Sequence, residues 1–370
     1  MKFPLFTLLL VGVMSTTSTL SLSAQDRLHF SGYGEVHYNN PKTGTMDEDE
    51  TTELDFHRFV LGWGYEFTET IRFESEVDFE HAGKEIELEY AYLEYDLTSE
   101  VSLRGGSLLM PVGPLNEFHE PPLFYSVERP YNQRSIIPTT WQEIGAGVSG
   151  RVMEGKLAFR VYGVSGLDGM KFTTLDGIRE GRSKGSKAKA SDLALVGRVE
   201  YSPISELQIG GSGYFGGADQ GDTTIGDVTV NIVELDARVQ VSGFELHGVF
   251  TRIGVEGAET LSAVIGEIIG DVMEGWYVEI AYDIFQEIIN NSEKRLILFV
   301  RREKFDTLKE CDYCTFIAVI NNRPWDREVT TVGAAYYPIH RVAVKTDYEF
   351  WKDGTGEELQ RFNLGLAFMF

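Results

Sequence analysis

Polar and apolar residues alternate along much of this chain with a period of two. From Ile71 to Glu80 the sequence reads IRFESEVDFE, with Ile71, Phe73, Val77 and Phe79 on one face and only Ser75 interrupting. Arg72, Glu74, Glu76, Asp78 and Glu80 fall on the other. Successive side chains of a strand point to opposite faces, so this is a strand with one apolar and one wet side. In the same way Val342, Val344, Tyr348 and Phe350 oppose Arg341, Lys345, Asp347 and Glu349, and Trp276, Val278, Ile280, Tyr282 and Ile284 oppose Glu279 and Asp283. A helical period stands out only near residues 261–273. Marking every alternating run predicts sixteen strands, near residues 28–38, 53–66, 71–80, 86–97, 100–109, 143–152, 155–164, 192–202, 205–215, 229–241, 243–252, 274–285, 294–304, 328–338, 341–351 and 358–370.

The links between these strands alternate between short and long, with the links after the third and fifteenth strands shorter, and the one after the twelfth longer, than strict alternation requires. Sixteen up-and-down strands with tight turns at one end and long loops at the other predict an all-β fold, a 16-stranded antiparallel transmembrane β-barrel. Several tight turns follow an aromatic strand end, Tyr65, Tyr95, Tyr201 or Tyr337, which suits an interfacial girdle. The last strand, RFNLGLAFMF, sets Phe362, Leu364, Leu366, Phe368 and Phe370 on one face and ends in Phe, as bacterial outer-membrane proteins generally do. No internal period of propeller length competes with this reading.

Composition alone would suggest an ordinary soluble protein: 370 residues, a formal charge of -24 and a mean hydropathy slightly below zero. The alternation explains that value, because a closed barrel keeps every second residue in a wet interior. Closure is what lets a sheet cross lipid without leaving an unpaired edge. The acidity argues against a nucleic-acid partner, since such binding neutralises phosphates with Lys and Arg. Lys2 followed by an apolar run from Phe3 to Met14 and a small-residue site at Leu22-Ser23-Ala24 predicts a secretory signal peptide over 1–24, leaving 25–370 as the barrel. The expected location is the bacterial outer membrane of a Gram-negative cell, with lipid and lipopolysaccharide as surroundings.

The most distinctive stretch is the third long link, residues 110–142, which holds six of the eleven prolines. Proline removes a ladder donor and holds its predecessor extended, so most of this stretch is neither strand nor regular helix. Sixteen strands enclose an aqueous lumen, and a long third extracellular loop folded inward would constrict it. Glu117, His119, Glu120, Tyr125, Glu128, Arg129 and Arg134 are the side chains expected to line the narrowing; a loop that only caps the barrel is the alternative. On the wall, Arg58, Arg72, Glu74, Glu76, Arg104, Arg160, Arg198 and Arg238 are expected to face the lumen, with Arg151, Arg341, Lys345, Arg361, Glu35, Asp78, Glu87, Glu89, Glu200, Asp236, Glu279 and Asp283. Rings of one sign select ions by charge, whereas mixed signs polarise water without strong preference. Pairing across strands to hold the wall is the structural alternative.

HRFVLGWGYEFTETIRFESEVDFEHA, ELEYAYLEYDLT, LLMPVGPLNEFHEPPLFYSVERP and IIPTTWQEIGAG together resemble bacterial outer-membrane porins related to the phosphate-selective porin O/P family. The resemblance covers about the first two-thirds of the mature chain. It implies a sixteen-strand barrel, a homotrimer, that passes small ions and solutes passively, with basic residues lining the channel in phosphate-selective members. Here the third link carries only Arg129 and Arg134 among several carboxylates.

The remaining signals are weaker. Arg179, Arg182, Lys184, Lys187 and Lys189 form a basic run in the next long link, read either as an anion-collecting mouth or as a solvated loop. Asp47 to Glu50 (DEDE) could collect divalent cations, or simply be solvated. Cys311 and Cys314 are the only cysteines and are expected to pair as a disulfide in an oxidising envelope. The seven histidines show no metal-binding spacing, so no metal and no cofactor is expected. Neither GxSxG, HExxH, a P-loop nor a dinucleotide fingerprint occurs, so no enzyme is expected. The expected function is a diffusion channel; a surface barrel that binds a partner or matrix through acidic loops is the alternative.

Overall fold

In a computed structural model, residues 27–43, 51–288, 293–314 and 323–370 are described. The predicted signal peptide and the acidic run Asp47 to Glu50 lie outside them. Sixteen strands appear: β1 Leu28–Thr43, β2 Glu53–Glu66, β3 Ile71–Glu80, β4 Glu85–Asp96, β5 Val101–Leu109, β6 Gln142–Val152, β7 Leu157–Ser165, β8 Leu193–Ile204, β9 Leu207–Gly217, β10 Thr229–Val241, β11 Phe244–Glu256, β12 Val272–Asp283, β13 Arg295–Glu310, β14 Asp326–Ile339, β15 Val342–Asp353 and β16 Glu358–Met369. Each pairs antiparallel with its neighbours in sequence, and β1 closes the ring on β16, with Tyr33 opposite Met369 and Asn39 opposite Asn363.

The two faces of each strand are inverted relative to a soluble protein. On β13 Leu298 is 47% and Val300 41% exposed, whereas Arg301 and Glu303 are fully buried. On β10 Val233 and Leu235 stand outside and Glu234 and Asp236 are covered. Polar groups are buried among polar partners and apolar groups face out, the arrangement that lipid imposes. No helix among the described residues is long and apolar enough to cross a membrane.

Six of the strand pairings carry a register shift, and two of these shifts re-aim interior charges. Glu35 pairs with Arg58 but His37 with Asp55, so β2 carries one extra residue there. Glu76 pairs with Tyr90 but Val77 with Leu88, which inserts Glu89 into β4. A bulge re-aims the side chains around it, and both lie on the wall the Pro-rich segment touches.

Three expectations are corrected. The helix expected near 261–273 is α1, Ala258–Ile265, which ends where Gly266 takes φ +78. Val272 is already in β12, held in register by Gly254 on β11. A second short helix, α2 Ile284–Ile288, follows β12 where an extended strand end was expected. Tyr337 does not join a lipid-facing girdle: it is buried and donates to the Pro122 carbonyl at 3.0 Å. Tyr95 and Tyr201 do face outward.

Candidate functional site

The link between β5 and β6 spans residues 110–141. Its proline content prevents a regular element, and its backbone groups are satisfied instead by side chains of its own and of the barrel. Asn116 donates to the Met110 and Trp141 carbonyls and accepts from the Trp141 N–H, pinning the two ends of the segment together. Ile136, Ile137 and Trp141 are fully buried, and Tyr131 packs against Trp351 and Phe305 with ring centroids 4.3 and 6.1 Å away.

From these anchors the segment reaches strands all round the ring. Glu117 pairs with Arg160 on β7 at 3.0 Å, and His119 with Glu89 on β4 at 2.6 Å and with the Tyr33 hydroxyl on β1 at 2.9 Å. Tyr125 donates to Glu245 on β11 at 2.9 Å, and the Val127 N–H to Asp347 on β15 at 2.6 Å. Arg301 on β13 donates to the Ser126 hydroxyl at 2.6 Å, and Lys345 on β15 to the Pro121 and Ser126 carbonyls at 2.5 and 2.9 Å. The Lys345 ammonium also lies 3.8 Å from the Phe124 ring centre. In a sixteen-strand ring, β7 and β15 stand eight places apart, on opposite sides.

Glu128 takes His37 on β1 at 3.2 Å and the Asn39 amide at 3.0 Å. Burial alone would raise its pKa, but the charges of His37 and His57 hold this carboxyl well below the ordinary carboxylate range. Burial pushes the Glu117 carboxyl up even with Arg160 beside it. Burial, then the like charge of Arg58, brings Arg129 down to about 10, still protonated at neutral pH. Arg129 has no carboxylate within 4 Å among the described residues. Glu120 keeps one carboxyl oxygen buried without a hydrogen-bond partner. Arg134 sits in the turn Asn132–Ile136, where its carbonyl accepts from Arg179 at 2.9 Å.

On the wall most of the expected arginines are paired, although Arg151, which borders both larger cavities, has no carboxylate within 4 Å among the described residues. Arg58 meets Glu35 at 2.6 Å, Arg160 meets Glu200 at 2.6 Å, Arg198 meets Asp236 at 2.7 Å and Glu234 at 3.0 Å, and Arg238 meets Glu245 at 2.8 Å. Arg72 bridges Asp96 at 2.7 Å and also touches Glu94, which takes Arg104 as well. Glu74 and Glu76 have no basic partner within 4 Å among the described residues. Between segment and wall lie cavities of about 540 Å³, with Glu76, Glu94, Arg104 and Glu120 among its lining, and about 560 Å³, bordered by Tyr125, Arg238, Glu245 and Glu279. A smaller one of about 220 Å³ faces His37, His57, Glu128 and Arg129.

Of the five side chains in the basic run, four are bonded and Lys187 is exposed. Arg179 and Arg182 donate to the carbonyls of Arg134, Pro138, Thr139 and Thr140, Lys184 binds Glu87 at 2.6 Å and Lys189 binds Asp168 at 3.1 Å. It fastens the C-terminal part of the Pro-rich segment. Cys311 and Cys314, in the link after β13, are joined as a disulfide with Cα atoms 5.4 Å apart.

Sequence reading missed Arg301 and Glu303, which bind each other at 3.0 Å in the interior. In Arg301-Arg302 only one guanidinium points inward, and the run does not say which. It also missed Tyr90, Tyr92 and Glu94, whose phase the β4 bulge shifts. It found no metal spacing among the histidines, yet the fold gathers His37, His57 and His81; the β2 bulge puts His57 on the same face as Arg58.

No family model matches the chain. It is 33% identical over 355 residues to an uncharacterized protein of Aquifex aeolicus (strain VF5), covering 89% of this chain and 77% of that relative. Among solved structures, OmpF of Salmonella typhi, determined in complex with daunomycin, superposes with a TM-score of 0.58 at 11% identity, covering 93% of this chain and 97% of that one. OmpT of Vibrio cholerae gives 0.56 at 10% identity, and the outer membrane channel DcaP of Acinetobacter baumannii 0.54 at 12%, each again covering 93% of this chain and 97% of theirs. At such identities the likeness is one of fold. The fold is that of a porin-like barrel of the bacterial outer membrane.

Proposed function

Because this chain belongs to one family with the Aquifex aeolicus protein and folds as a porin-like barrel, we propose that it is a water-filled channel for passive diffusion of ions and small polar solutes, constricted by the Pro-rich segment. The observation that carries the reading is the chord drawn by that segment, from Glu117 on Arg160 of β7 to Val127 on Asp347 of β15. A segment bonded to inward-facing side chains on opposite walls crosses the lumen, whereas an outward cap would touch only the rim.

The charges support weak selectivity over a dedicated phosphate route. Wall arginines are matched by carboxylates, and opposite signs facing each other polarise water for small polar solutes. Arg129 is the basic group of the narrowing left to meet an anion, and Glu74, Glu76 and Glu120 favour cations. A homotrimer is part of the proposal, since one neighbouring structure is the trimer form of Vibrio cholerae OmpT; chemical cross-linking in detergent that stops at a dimer or monomer contradicts it. Purified, folded protein added to a planar bilayer is expected to give discrete conductance steps. A folded, inserted protein that gives none refutes the channel.

A further inference from the structure

Three of the seven histidines converge at the long-link end of the barrel. Asp55 Oδ2 accepts from His81 Nδ1 at 2.6 Å and lies 3.3 Å from His57 Nδ1. The candidate ligand atoms of Asp55, His57 and His81 all lie within 4.8 Å of one another. Two separate backbone features produce this meeting. The β2 bulge opposite Glu35 and His37 turns Asp55, His57 and Arg58 to the interior together. The link from β3 to β4 holds His81 and Ala82 at φ 48 and 56, a left-handed region that side-chain-bearing residues rarely occupy. The His37 ring stacks on that of His57 at 4.5 Å and 13°. Both of its nitrogens are engaged, by Glu35 at 2.9 Å and Glu128 at 3.2 Å, so His37 props the neighbouring ring and is not itself free to ligate.

We propose that Asp55, His57 and His81 form a binding site for a divalent transition-metal ion of the zinc class, at the mouth of the channel. Two imidazoles and one carboxylate are a donor set for Zn²⁺, Ni²⁺ or Cu²⁺, and not for Ca²⁺ or Mg²⁺, which take oxygen. Donors about 2.0 Å from a tetrahedral ion stand about 3.3 Å apart. The His57 to Asp55 spacing already matches, and His81 to Asp55 opens by a fraction of an ångström once the proton it shares is displaced. The three side chains are 28 to 42% exposed, so the ion can enter from water and keep a solvent position. Nearby positive charge is offset in part: Arg58 is paired with Glu35, and Glu80 and Glu128 line the same cavity, which Arg129, Arg134 and Arg179 also border. Since His57, His81 and Arg129 border one cavity, a bound cation adds positive charge beside the solute route; this second part rests on the channel reading.

The test uses full-length folded barrel in detergent, stripped with EDTA and titrated with ZnCl₂ by calorimetry. One saturable site is expected. Asp55→Asn and His81→Gln are expected to weaken it at least about tenfold, while His340→Ala at the opposite end leaves it unchanged. Heat-modifiable gel mobility confirms that each variant is folded, and Co²⁺ in place of Zn²⁺ is expected to give a visible absorption band that Asp55→Asn removes. Absence of saturable binding, or equal binding by folded Asp55→Asn, overturns the site and leaves a hydrogen-bonded cluster. In bilayers, micromolar Zn²⁺ is expected to lower wild-type cation conductance and spare His81→Gln. Binding in the calorimeter without any effect on conductance keeps the site and overturns its place on the solute route.

Discussion

Arg129 illustrates how a single side chain acquires a role from what surrounds it. Its guanidinium is near Arg58, but Arg58 is already satisfied by Glu35, and among the described residues no carboxylate lies within 4 Å of Arg129. In the proposed channel its charge is offered to what passes. A unit charge about 8 Å from a solute in water is worth about 0.5 kcal/mol, roughly a twofold change in relative permeability. Arg129→Gln is expected to shift the reversal potential in a potassium chloride gradient toward cation preference by that factor. An unchanged potential would place Arg129 away from the route. Arg58, held on β2 by Glu35, is predicted to matter for the wall and not for selectivity. The sequence marks both as basic but cannot tell the paired from the unpaired, because pairing is decided by strands far apart in the chain. The same limit hid the cluster of Asp55, His57 and His81, which depends on a bulge and a left-handed turn that leave no trace in period-two alternation.

At the scale of elements, sequence and structure agree where alternation is uninterrupted. β3 and β10 carry their expected bounds, and so does β2 despite its bulge, because one apolar and one polar face fix the register of a strand between lipid and water. Agreement fails where a second influence enters. β13 runs past residue 304 because Phe305 and Asp306 pair with both neighbours and Glu310 with Val272 of β12, and α1 stops early at the left-handed Gly266. In the Pro-rich segment prolines and titratable groups are legible, but the chord is not, since each end is set by a partner such as Arg160 or Asp347 over a long sequence separation. The outward face gives a direct prediction. Leu235, mid-strand on β10 and 58% exposed, contacts lipid in this account. Leu235→Arg is expected to destabilise the barrel by about 2–4 kcal/mol in urea unfolding from lipid vesicles. A cost near zero would mean that this face meets water.

For the whole molecule, many of the interior charges among the described residues are paired across strands, as Arg58 is with Glu35 and Arg198 with Asp236, while Glu74 and Glu76 have no basic partner within 4 Å. The near-neutral hydropathy is the mean of a lipid-facing surface and a wet interior. Both follow from closing sixteen strands into one ring. The central claim is that this segment limits the flow. Single-channel conductance of wild type and of a variant lacking residues 115–135, compared in the same bilayer and salt, tests it most directly. A clearly larger conductance is expected for the shortened protein, because the chord from β7 to β15 is gone while all sixteen strands remain. Equal conductance from two folded barrels would show that the segment lies outside the passage.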